Sequence, residues 1–160
     1  MAEWYEVVEH IANKAAVLAF DSAAKDMALT DREVSNAIEV YVEKRIPELK
    51  IRRGRYYIKQ IVVPSLDDIK YIERQKGILC STREQVICDL VKRSYRNGLH
   101  SKREFSEVLY ESVKDYMVSY GRFSYDAFKD IELSLNKKYV KVLKRYANIV
   151  IRRVKNYLSH

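Results

Sequence analysis

Residues 49–63 read Leu-Lys-Ile-Arg-Arg-Gly-Arg-Tyr-Tyr-Ile-Lys-Gln-Ile-Val-Val. The stretch is rich in β-branched and aromatic residues and holds Gly54 in a basic turn, so it predicts a short β-hairpin or an extended arm. On both sides of it the apolar residues recur at helical spacing. The stretch therefore stands as the exception in a chain expected to be all-α.

Around this stretch six helices are expected, at 3–28, 31–46, 65–76, 82–97, 102–120 and 125–158. Trp4, Val8, Ile11, Ala15 and Leu18 recur at steps of three or four. Val34, Ile38, Tyr41 and Val42, and then Phe105, Val108, Leu109, Val113 and Met117, do the same. Such stripes bury one face of a helix. Starts are marked by hydroxyl and carboxylate three residues apart, a spacing that satisfies two orphan amides reciprocally: Thr30 with Glu33, Ser65 with Asp68, Ser81 with Glu84 and Ser101 with Glu104. Gly54, Gly77, Gly98 and Gly121 fall where such helices would stop. The fold class that follows is a bundle of about six helices in one domain, 1–160. Within it stand acidic N-terminal helices (1–49), a basic arm (50–63), a helical body (64–121) and a long basic C-terminal helix (124–158).

With 48% hydrophobic and 32% charged residues, a chain of 160 residues folds around a core and is not a disordered tail. No apolar run approaches the roughly 20 residues that cross a bilayer, and the start Met1-Ala2-Glu3-Trp4-Tyr5-Glu6 is acidic where a signal peptide is basic. A cytoplasmic or virion location, without secretion, is expected. Cys80 and Cys88 are expected as reduced thiols.

The formal net charge of +8 is unevenly spread. Residues 1–49 hold 5 Lys/Arg against 10 Asp/Glu, 50–62 hold 5 basic residues and no acid, and 131–160 hold 8 basic residues against Glu132 alone. On the last helix, Lys137, Lys141, Lys144, Asn148, Arg152 and Lys155 fall within about 80° of one another at 100° per residue. This stripe runs roughly 27 Å at 1.5 Å per residue, and Lys138, Arg145 and Arg153 widen it. A solvated face normally mixes both signs, so near absence of acid points to a polyanion. An ordinary solvated face, or pairing with the acidic first 49 residues of the same or another copy, are the competing readings. In the arm, Lys50, Arg52, Arg53, Arg55 and Lys59 surround Tyr56 and Tyr57, a mixture suited to phosphate and base. The competing reading makes these tyrosines core. The segment 31–46 carries Glu33, Glu39 and Glu43, which phosphates would repel, so reading of base edges is not expected from it.

Metal, cofactor and small-molecule substrate are not expected. His10, His100 and His160 are scattered, Cys80 and Cys88 lack zinc spacing, and four glycines build no phosphate loop. Arg96-Asn97-Gly98-Leu99-His100 resembles a shortened form of the arginine-to-histidine motif of HEPN-type ribonucleases, which would make Arg96 and His100 catalytic. In size, expected helical content and charge pattern the chain resembles the coat proteins of filamentous and rod-shaped archaeal viruses, which implies wrapping of duplex DNA without reading its sequence. The expectation is a non-catalytic nucleic-acid-coating protein that self-associates or joins a homologous subunit, with duplex DNA favoured. A helical transcription regulator, an RNA-complex subunit and membrane binding through the last helix are the alternatives.

Overall fold

The computed structural model describes residues 2–30, 35–96, 107–120 and 137–158. Among them lie a six-stranded mixed sheet and five α-helices, so the all-α expectation is overturned. In chain order the elements are α1 (Ala2–Val8), β1 (Ala16–Leu18), α2 (Phe20–Asp26), β2 (Ala37–Val42), β3 (Arg52–Arg53) and β4 (Tyr56–Val62). Then follow β5 (Tyr71–Gln75), β6 (Ile78–Ser81), α3 (Arg83–Arg96), α4 (Glu107–Tyr120) and α5 (Lys137–Leu158). The chain divides into two compact units, Met1–Met27 with Arg32–Thr82, and Ala28–Asp31 with Arg83–His160.

The first unit holds the sheet, in the order β3-β4-β2-β1-β6-β5. β2 runs parallel to β4 and β1 parallel to β6, while β1–β2, β3–β4 and β5–β6 are antiparallel. Register places Val17 beside both Tyr41 and Leu79, and Tyr41 beside Ile61, so these four share a face. Ala19, Phe20, Val63, Leu66 and Ile69 complete the cluster there. Ile38, Val40 and Val42 alternate to the opposite face and are fully buried. α1 contacts β3 and β4, and α2 contacts β2 and β6.

The helical expectation failed at three places, and at 31–46 the cause is burial of a strand on both faces. A central strand covered on both faces reads as a continuous apolar run, because the alternation of inside and outside is lost. In 31–46 the spacing of Ile38, Tyr41 and Val42 imitates a helix, but the β-branched Ile38, Val40 and Val42 belong to β2. In 3–28 the helix ends early and the chain turns at Asn13, whose φ is +60° and whose N–H donates to the Gly77 carbonyl at 3.1 Å. In 65–76 Ser65 does cap, accepting from the Asp67 N–H at 3.1 Å, yet only one 3₁₀ turn (Leu66–Asp68) follows before β5. Ser81, read as a cap, instead donates its hydroxyl to the Leu18 carbonyl at 2.8 Å.

The stretch 49–63 is a hairpin, β3 and β4. Gly54, at φ +57°, fills the first position of its two-residue turn, as a type II′ turn requires. The β5–β6 turn uses Lys76 at φ +42° and Gly77 at φ +82°, the pair of left-handed residues of a type I′ turn. These two glycines thus reverse strands and do not end helices.

The second unit holds α3, α4 and α5, each in contact with the other two. α3 occupies the expected 82–97, and α4 and α5 lie within the expected 102–120 and 125–158. The remainder of those ranges, with Gly98, Gly121 and the Ser101–Glu104 pair, lies outside the described residues. Leu109, Val113, Tyr116, Met117 and Val150 are buried. The Thr30 hydroxyl donates to the Glu111 carboxylate at 2.5 Å, tying Thr30 to α4. Cys80 and Cys88 are not joined in a disulfide, and both are buried. No helix among the described residues is long and apolar enough to cross a membrane.

Candidate nucleic-acid interface

On α5, Lys141, Lys144, Arg145, Asn148, Arg152, Arg153 and Lys155 are all exposed, while Val150 is fully buried and Ile149 and Val154 are half-buried. The helix thus turns its apolar side inward because α3 and α4 offer it apolar surface, and its cationic edge is left in water. No Asp or Glu occurs anywhere in α5. Among the described residues, no ion-pair partner stands by Lys141, Arg152 or Lys155. Arg153 lies with its guanidinium carbon 5.1 Å from the Tyr110 ring of α4, which pins one cation against the bundle. Lys137 and Lys138 open α5; their side chains, like Asn97, Gly98, Leu99 and His100 of the HEPN-like motif, lie outside the described residues. Arg96 is the last residue of α3.

The hairpin distributes its residues differently. Tyr56 is only 2% exposed and belongs to the core; Arg55 lies over its ring at 5.0 Å and donates to its hydroxyl at 2.7 Å. Tyr57 is half-buried, with the Arg52 guanidinium 4.6 Å from its ring. Arg53 reaches Glu6 of α1 at 3.9 Å, an exposed pair of small energetic consequence, and the Glu3 carboxylate lies against Gly54. Two acids of the N-terminal helix therefore meet the turn of the basic arm.

A cleft of about 570 Å³ adjoins the hairpin, lined by Arg45, Ile46, Pro47, Lys50, Tyr57, Ile58, Lys59 and Gln60. β3 pairs with β4 only at Tyr56 and Tyr57, and the loop between β2 and β3 closes on the rest of that flank. The Gln60 side chain holds it, accepting from the Ile46 N–H at 2.7 Å and donating to the Ile46 carbonyl at 3.0 Å. This reproduces the two bonds that a paired strand would supply. Leu49, fully buried, anchors the following 3₁₀ turn Pro47–Leu49. Arg45 was missed in the sequence because 31–46 read as helix; Pro47 closing a β-branched run was the available signal.

Among the described residues no group of three or more His, Cys, Asp or Glu side chains is placed to hold a metal ion. Comparison with protein-family models and with curated proteins gives no match.

Proposed function

We propose that this protein binds nucleic acid through backbone phosphates, without sequence preference and without catalysis, using the exposed edge of α5. The observation that carries the reading is the outward line Lys141, Asn148, Arg152 and Lys155, on a helix that contains no acid. From Lys141 to Lys155 the line spans about 21 Å at 1.5 Å per residue. That matches about six nucleotide steps at 3.4 Å per strand. Lysines and arginines along such a line neutralise phosphates and release counterions, whatever the bases are.

The resemblance to viral coat proteins rested partly on helical content that this molecule does not have, so the proposal stands on α5 itself. Burial of Val150, with Ile149 and Val154 half-buried, keeps the apolar side of α5 away from a lipid surface. Mobility shift at low salt with duplexes of unrelated sequence tests the proposal. Equal affinities for all of them are expected, and absence of any shift at about 50 mM salt would end it. Electron microscopy of the same mixtures separates coating, which gives filaments, from binding of isolated copies.

A further inference from the structure

The cleft beside the hairpin has a chemistry that α5 lacks, because it joins converging cations to an apolar, aromatic interior. Arg45, Lys50 and Lys59 are exposed at its margin, and no carboxylate is among its lining residues. Among the described residues none of these three cations has an ion-pair partner. Unneutralised cations gathered around one concavity attract an anion, and Arg45 adds a planar fork that fits phosphate oxygens in pairs. Ile46, Pro47 and Ile58 supply apolar wall, and Tyr57 supplies a ring whose position the Arg52 guanidinium supports. The walls are fixed in advance by the double bond of Gln60 to Ile46 and by the buried Leu49. A volume of about 570 Å³ lies within the range of small-ligand sites.

We infer that this cleft binds one nucleotide through a terminal phosphate, the phosphomonoester lying among Arg45, Lys50 and Lys59 and the base or sugar against Tyr57, Ile46 and Pro47. The site lies wholly in the sheet unit and does not depend on the reading of α5. A base stacked inside a duplex cannot enter it, so the ligand is a free nucleotide or the phosphorylated end of a strand.

Calorimetric titration of the whole chain with AMP, adenosine and inorganic phosphate tests the inference. AMP is expected to bind at least about tenfold more tightly than either fragment, because only AMP uses both halves of the cleft. Lys50→Ala with Lys59→Ala is expected to weaken AMP by about tenfold or more, since each removes a charge-assisted contact. Both lysines are exposed, so an unchanged circular dichroism spectrum and melting temperature confirm that the double variant folds. Lys141→Ala, Arg152→Ala and Lys155→Ala on α5 should leave AMP affinity unchanged, which separates failure here from failure of the duplex proposal. A hexanucleotide with a 5′-phosphate that binds like AMP, while its 5′-hydroxyl form does not, assigns the strand end; exclusion of both assigns the free nucleotide. AMP binding no tighter than inorganic phosphate, or full affinity in the double variant, overturns the inference.

Discussion

Removing Lys141, Arg152 and Lys155 together should change the salt dependence of duplex binding by an amount that can be stated in advance. The logarithm of the binding constant falls with the logarithm of salt concentration at a slope of about −0.9 per neutralised phosphate. If each of these residues contacts one phosphate, the triple alanine variant has a slope shallower by about 2.7. A fourfold rise in salt, from about 50 to about 200 mM, then weakens the natural protein about 40-fold more than the variant. The difference is independent of other contacts the protein makes, because those appear in both slopes. Exposed alanines are compatible with the helix, so the melting temperature should move by no more than a few degrees. Filter binding or fluorescence anisotropy on one duplex across a salt series gives both slopes. Equal slopes in the folded variant would refute the assignment of α5 to phosphate contact, even if the absolute affinity fell.

Three further outcomes test the fold. Gly77→Ala should destabilise by about 1–3 kcal/mol in urea unfolding, since φ is +82° and the new methyl would overlap the Asn13 side-chain oxygen. Gln60→Ala removes the acceptor of the Ile46 N–H, while the Ile46 carbonyl keeps the Leu49 N–H, and should cost about 1–3 kcal/mol with faster amide exchange at Ile46 as its signature. Trp4→Ala should cost about 3–5 kcal/mol, because the indole is fully buried on α1.

Local punctuation was legible in the sequence, and the element type between marks often was not. Ser65 does cap, but through the Asp67 N–H and not with the Asp68 its spacing pointed to, and the turn it caps is a single 3₁₀ turn, because Tyr71–Gln75 is held by pairing with β6, a contact that no local pattern encodes. Gly54 and Gly77 were recognisable as left-handed positions, which hairpins and helix ends use equally. β2 was hidden because both its faces are covered, whereas the hairpin was visible because β3 and part of β4 face water and show their polar residues. α3 was read closely for the opposite reason: over four turns the 3.6 period accumulates beyond confusion with a period of two. Of the site, the α5 edge was readable because a helix determines its own faces. The cleft was not, because Arg45, Lys50 and Lys59 converge only through the pairing of β2 with β4 and the Gln60 bond.

The division of charge between the two units bears on what the cations are for. In the sheet unit, away from the cleft, acids stand near some of the bases: Glu6 faces Arg53, Asp26 lies 3.5 Å from Arg74, and Glu3 lies against the hairpin turn. α5 contains no acid of its own, and it places Arg152 three residues from Lys155. Like charges at that spacing destabilise a helix by about 0.2–0.5 kcal/mol per pair. A helix kept only for packing would lose nothing by carrying glutamate at some of these exposed positions, whereas a helix that meets phosphates would lose affinity. The same charges therefore make salt act in opposite directions: added salt screens their repulsion and stabilises the free fold, while it weakens the complex by removing the gain from counterion release. A surface whose cations served internal pairing would respond to salt in one direction only.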